Sequence, residues 1–158
     1  MIKIIFGFLS IGFSLLIANL YCEKLKRIYE TYGELTLFNE KLYTAIEYYK
    51  DDVHKVAKEC DFKSDVKPLF ESSDYLKNEV TNNKTFLKDL PKNDKKEIID
   101  YLNKVGKSDY ETQINYVKDK HRQFSAEKDK AFKKYKEMKP VSYKIALLAG
   151  ITIFIIII

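Results

Sequence analysis

Two apolar runs bracket the chain, and between them the apolar positions recur at helical spacing. From Ile4 to Cys22 no side chain is charged, and the polar residues there (Ser10, Ser14, Asn19) are ones a membrane helix tolerates. At 1.5 Å rise per residue this run covers roughly 28 Å, close to the hydrocarbon thickness of a bilayer. The second run, Val141 to Ile158, closes on Ile-Phe-Ile-Ile-Ile-Ile and covers about 27 Å. Lys144 can snorkel toward head groups and Tyr143 stands where an interfacial aromatic belongs. The pattern predicts an N-terminal transmembrane helix over residues 1–22, a polar helical domain over 23–140 and a C-terminal transmembrane helix over 141–158. A cleaved signal peptide is the alternative for the first run. Its charged head would be Lys3 alone and its apolar stretch is long for that role. A lipoprotein reading of Cys22 meets Tyr21 where a small residue is wanted.

Helical periodicity continues past the first run. Leu25, Ile28, Tyr32, Leu35, Asn39, Leu42, Ile46 and Tyr49 alternate in steps of three and four, a heptad seam that is polar only at Asn39. Gly33 lies off this seam and should weaken the helix by about 1 kcal/mol without ending it. Ile114, Val117, His121, Phe124, Lys128, Ala131, Tyr135 and Met138 repeat the alternation on the way to the second run. Its start is marked by Gly106, which ends the preceding helix, and by Ser108 with Glu111 as a capping box. Pro140 is expected to kink or interrupt the chain just before the second run. Because both seams lead to the same membrane face, the arms should lie antiparallel, each about 36 Å long, with Leu25 near Met138 and Tyr49 near Ile114. Asn39, His121 and Lys128 either set this register or mark local solvent exposure.

Shorter elements lie between the arms and are expected to pack at the hairpin tip. Asp51 to Asp61 places Val53, Val56, Ala57 and Cys60 on one helical face. Asp65 to Phe70 is a brief helical turn. Ser73 or Asp74 caps a helix to about Leu90, and Asn93 caps another through Val105 that carries Ile98, Ile99, Tyr101 and Leu102. No segment reads as a strand, and the expected fold class is all-α.

Composition supports this. The 158 residues include only 5 glycines and 3 prolines, so long stretches lack a helix breaker. The net charge of +5 comes from acidic and basic residues interspersed through the middle, a pattern of solvated helix faces and not of a nucleic-acid stripe. Cys22 and Cys60 are distant in sequence, which argues against a structural disulfide. His54 and His121, the only histidines, lack a second ligand at metal spacing. No phosphate-cradling glycine loop and no nucleophile elbow is present. Glu23, Glu30, Glu34, Glu40 and Glu47 read as a solvated helix face. Neither catalytic residues nor a cofactor is expected.

Charge also sets orientation. Lys24, Lys26 and Arg27 follow the first run, and Lys133, Lys134, Lys136 and Lys139 precede the second. The positive-inside bias places the central domain in the cytoplasm and both termini outside. Nine Lys or Arg residues lie between Lys118 and Lys139; they either set topology alone or also bind anionic lipid heads.

Several local features then coincide. Ile46-Glu47-Tyr48 near the end of the first arm, Leu69-Phe70 after a short polar stretch, and Val105-Gly106 followed by Asp109 and Gln113 occur in that order. A basic, tyrosine-containing stretch (Lys133, Lys134, Tyr135, Lys136) leads into a short apolar end that holds Gly150. This order resembles the stage III sporulation protein AB family, membrane components of the channel complex built in endospore-forming bacteria. The resemblance covers nearly the whole chain through loose motifs. Departures are Tyr43 and Ala45 where the family usually has glutamates, Asp52-Val53 where it has a proline-leucine step, a missing glycine near Leu102, and Pro140 in place of a glycine before the second run.

The resemblance implies a membrane scaffold in the mother-cell membrane around the forespore, in contact with other sporulation channel components and membrane lipid. It also implies a cytoplasmic domain similar to that of platform proteins in type II secretion and type IV pilus systems, and by analogy a contact with a hexameric ATPase. A generic two-span coiled-coil adaptor, or an anionic-lipid-binding protein, is the alternative.

Overall fold

The structure is a computed structural model and describes residues 2–49, 53–60, 62 and 87–157. Helix α1 (Ile2–Thr44) continues into a π-helical turn (Ala45–Tyr49); α2 (Val53–Lys58), α3 (Lys92–Lys104) and α4 (Tyr110–Ile157) follow. Among the described residues all regular structure is helical, so the chain is all-α and built on a hairpin of its two long helices. It divides into two compact units: Met1–Arg27 with Lys130–Ile158, and Ile28–Asp129.

In the first unit the apolar ends of α1 and α4 pack antiparallel. The Ser10 hydroxyl donates to the Gly7 carbonyl at 2.7 Å and lies 3.4 Å from the Gly150 carbonyl. The Tyr143 hydroxyl donates to Asn19 Oδ1 at 2.9 Å, one residue from the expected register. Phe8 meets Phe154 edge-on, with ring centroids 5.5 Å apart. Two glycines make this approach possible. A Cβ on Gly150 would stand 2.8 Å from Ile11 Cα, and one on Gly7 would strike the Phe154 ring. Ala18, Cys22 and Ala146 continue the close contact as buried small residues. Small side chains let backbones approach where lipid-facing surface offers no hydrophobic gain for association. The outward face is apolar and exposed, with Phe8, Phe13, Leu148 and Ile155 all above 60%.

The second unit holds the main core, centred on Leu35, Phe38, Asn39 and Leu42 of α1, Ile98 and Tyr101 of α3, and Val117 and Phe124 of α4, all nearly or fully sealed from solvent. Helix α3 lies along the arms, making this stretch a three-helix bundle. It is joined to α1 twice, seven residues apart on each helix. Tyr32 Oη donates to Asp94 Oδ2 at 2.6 Å, and Tyr101 Oη donates to Asn39 Oδ1. Joined this way, α3 runs parallel to α1. It is joined to α4 through Glu97, whose carboxylate takes Lys120 Nζ at 2.6 Å and the Gln123 amide. The Tyr101 ring packs edge-on against Phe124 at 5.3 Å and tilted against Tyr116 at 5.6 Å. Gly33 faces Lys128, two residues from the expected register.

Several expected boundaries differ. Pro140 sits inside α4, which runs unbroken to Ile157; proline removes one backbone donor, and the rest of so long a helix carries the turn. Asn93 lies in the first turn of α3 and not at its cap. Pro91 occupies the N-cap position at φ −56, ψ 151, with no side-chain cap, because its fixed φ already suits helix entry. Leu87 to Leu90 is a turn and not a helix end, with Leu87 at φ 53. The helical turn over 65–70, the earlier part of the helix begun at Ser73 or Asp74, and the Leu69-Phe70 pair lie outside the described residues. Asp51 and Asp61 do too, and the helix expected between them is shorter, with Val56, Ala57 and Cys60 buried.

Two outcomes follow from this packing. Gly150→Leu should force the apolar helices apart at Ile11 and destabilise the detergent-solubilised chain by about 1–3 kcal/mol, read as a lower Tm by circular dichroism, whereas Gly12→Leu, with nothing within 4 Å of its added Cβ, should leave Tm unchanged. Tyr101→Phe leaves the buried Asn39 amide without its one donor and should cost about 1–3 kcal/mol; Asn39→Leu combined with Tyr101→Phe should cost less than the two single changes summed.

Candidate functional site

The residues singled out by family-like spacing fall together at the junction between α3 and α4. Val105 closes α3 in extended geometry, its N–H bonded to the Tyr101 carbonyl at 3.0 Å. Gly106 then turns the chain at φ +82, where a Cβ would stand 2.9 Å from Val53 Cγ2. A left-handed φ and a neighbour that close both select glycine. Asp109 caps α4: its Oδ1 accepts the Thr112 N–H at 3.0 Å and its carbonyl accepts the Gln113 N–H at 2.9 Å. The cap is therefore Asp109, one residue beyond the Ser108 expected to open a capping box with Glu111. An aspartate at the N-terminal end of a long helix meets N–H groups that have no partner within the helix and the positive end of the dipole, and the Thr112 amide holds its carboxyl below the usual range. Ser108 instead donates to Gln113 Oε1 at 2.8 Å. Gln113 is buried, and its Nε2 has no hydrogen-bond partner.

The seam residues mostly occupy the hairpin interior. Leu25, Tyr32, Leu35, Leu42, Ile46, Val117 and Phe124 are buried, while Ile28, Ala131 and Tyr135 are half-buried. The buried face of α1 is wider than one seam. Thr31, Leu35, Phe38, Leu42 and Ala45 form a second stripe in the same alternation, and Phe38 meets the Phe62 ring at 6.2 Å. That second periodicity was present in the sequence, sharing Leu35 and Leu42 with the first.

Beside this stripe lies a feature sequence reasoning missed, an open groove of about 640 Å³ between the end of α1, its π-helical turn and α2. Ala45 and Val56 are buried in its wall, Leu37 stands 45% exposed at its edge, and Glu40, Lys41, Lys55 and Glu59 supply charge. Lys41 Nζ bonds the Glu59 carbonyl across it at 3.0 Å. The sequence signal was Leu37, an apolar residue off the seam; what it faced depended on where α2 would pack.

Electrostatics in this unit are those of structural contacts. Burial, reinforced by the Asp94 carboxylate, drives the Tyr32 phenol far above its usual range. Burial does the same to Tyr101 and pushes the Cys60 thiol up. The Lys120 ammonium holds the Glu97 carboxyl down, against some desolvation. Both cysteines are free. Among the described residues no group of three His, Cys, Asp or Glu side chains could hold a metal. The Tyr32, Tyr101 and Glu97 contacts tie α3 to α1 and α4.

The junction generates one expectation. Gly106→Ala should lower stability by about 1–3 kcal/mol, through backbone strain and the Val53 contact, and Val53→Ala in the same chain should restore part of that loss, both measured by thermal unfolding of the solubilised protein.

No curated protein and no solved structure gives a match. The model of the family described as stage III sporulation protein AB does match, over residues 3–158. That span takes in the apolar end of α1, the junction from Val105 to Gln113, and all of α4, so the chain belongs to the stage III sporulation protein AB family.

Proposed function

We propose that this chain is a non-enzymatic membrane scaffold of the sporulation channel complex, anchored by two spans in the mother-cell membrane around the forespore. In this reading residues 23–140 form the cytoplasmic domain, both termini lie outside, and the domain docks a cytoplasmic ATPase, with other channel components also in contact.

Family membership carries the sporulation role. Two further features support the finer reading. Both long helices contain stretches long and apolar enough to cross a membrane, and only 11% of each stretch is buried; a soluble core helix would be mostly buried. The first stretch is fitted to the second through Ser10, Ile11 and Gly150, a match that a cleaved leader would not need. The three-helix body of the second unit then presents its groove on a frame tied through Asn39, Asp94 and Glu97. A coiled-coil adaptor pairing between copies is less well supported, because Leu35, Leu42, Val117 and Phe124 of the two seams are already spent inside one chain. The likeness to secretion platform proteins remains the family's implication and supplies the ATPase as the expected partner.

The test is a clean deletion in the sporulating host, complemented with the intact gene or with Leu37→Asp. Deletion should arrest development after engulfment begins and abolish heat-resistant spores. Leu37→Asp should accumulate normally yet lose co-purification of the ATPase from gently solubilised membranes. Normal spores from the deletion would sink the scaffold role, and undiminished co-purification by Leu37→Asp would remove the groove as the docking site.

A further inference from the structure

The whole-chain charge of +5 hides a division between the two units. The first unit carries ten basic and two acidic residues; the second carries eighteen and twenty-one. The first unit is therefore strongly basic, and the second slightly acidic. Nine of those ten basic residues lie in 24–27 and 130–144, at the polar end of the paired apolar helices. One of the two carboxylates, Glu23, is already engaged by Arg27 at 3.8 Å and by Asn19 at 3.3 Å. Lys139 leans over the Tyr135 ring at 5.5 Å. Lys133, Lys134 and Lys136 point to solvent on α4, as do Lys24 and Lys26 on α1. Along the helix axis Lys136 stands about 8 Å and Lys133 about 12 Å from Val141. Those distances are near one Debye length at physiological salt.

Topology requires only a modest excess of lysine and arginine beside a span. Here ten basic residues stand against two acidic ones within the unit, with Lys24, Lys133, Lys134, Lys136 and Lys139 exposed on its two helices, while the other unit is left acidic. We infer that the basic end of the first unit is a collar that selects anionic phospholipid headgroups of the bilayer in which the chain is anchored. The inference rests on the two-span reading. The collar recognises phosphate-bearing headgroups by charge, each lysine adding a separate attraction, so binding is multivalent and salt-sensitive. It would hold lipids such as phosphatidylglycerol around the spans, in place of zwitterionic lipids that offer it no net charge.

The full chain, reconstituted in phosphatidylcholine vesicles, can be examined by electron paramagnetic resonance with spin-labelled phosphatidylglycerol or phosphatidylcholine as probe. The protein-associated fraction should favour phosphatidylglycerol by roughly five-fold at low salt, and the preference should collapse at high salt. Lys133→Gln, Lys134→Gln and Lys136→Gln together should reduce it below about two-fold. The same charge removed elsewhere, by Lys92→Gln, Lys96→Gln and Lys104→Gln, should leave it intact. Equal association of the two probes with the unaltered chain, or equal loss in both triple variants, would overturn the collar. Release of the chain from vesicles by alkaline carbonate would instead overturn the membrane anchoring on which it rests.

Discussion

The bond from Tyr101 to Asn39 fixes how the second unit is put together. Both side chains are sealed from solvent, so neither can exchange its partner for water, and a displaced α3 would strand two polar groups in an apolar core. A hydrogen bond has one geometry, whereas apolar contacts between Leu35, Ile98 and Phe124 could be satisfied at several offsets. The bond thus selects one axial position for α3, and Tyr32 with Asp94 reinforces it seven residues earlier on both helices. Glu97, Lys120 and Gln123 close the third side. Asn39 was the one polar residue in the first seam; its register role is met through α3, a partner that seam periodicity alone did not identify.

Much of the fold was legible because it rests on periodicity. Steps of three and four located the buried faces of both long helices, and the unbroken pattern past Cys22 foretold the length of α1. The apolar runs at 4–22 and 141–158 needed only hydropathy and rise per residue. What escaped were features decided by tertiary packing. The second stripe through Thr31 and Phe38 gains meaning only once α2 and Phe62 cover it. Pro140 reads as a kink or an interruption by local rules, and the helix continues through it, since one missing donor does not stop a helix held on both sides. Ser108 and Asp109 are both good caps; the choice between them turned on Ser108 having Gln113 as an alternative partner.

The site was legible in a different sense. Val105, Gly106, Asp109 and Gln113 stood out by spacing, and each has a conformational role in the folded chain. Val105 closes one helix, Gly106 reverses the chain, Asp109 starts the next helix and Gln113 fills the core. Each of these roles is conformational and involves no reacting group. The groove beside Leu37 had no motif at all, since its walls come from segments whose juxtaposition is tertiary. Backbone roles of this kind leave a spacing that can be read along the chain, whereas a groove assembled from α1 and α2 leaves none.

The π-helical turn at Ala45–Tyr49 carries a consequence for descent. A π turn is an α-helix holding one surplus residue, the usual trace of a single-codon insertion absorbed without breaking the helix. Relatives that lack the surplus residue should show a one-residue gap at this point, and their positions beyond it will be rotated by about 100° relative to this chain. Ala45 of this turn lines the groove, so gain or loss of one amino acid would re-aim that wall while the heptads below it stay in phase.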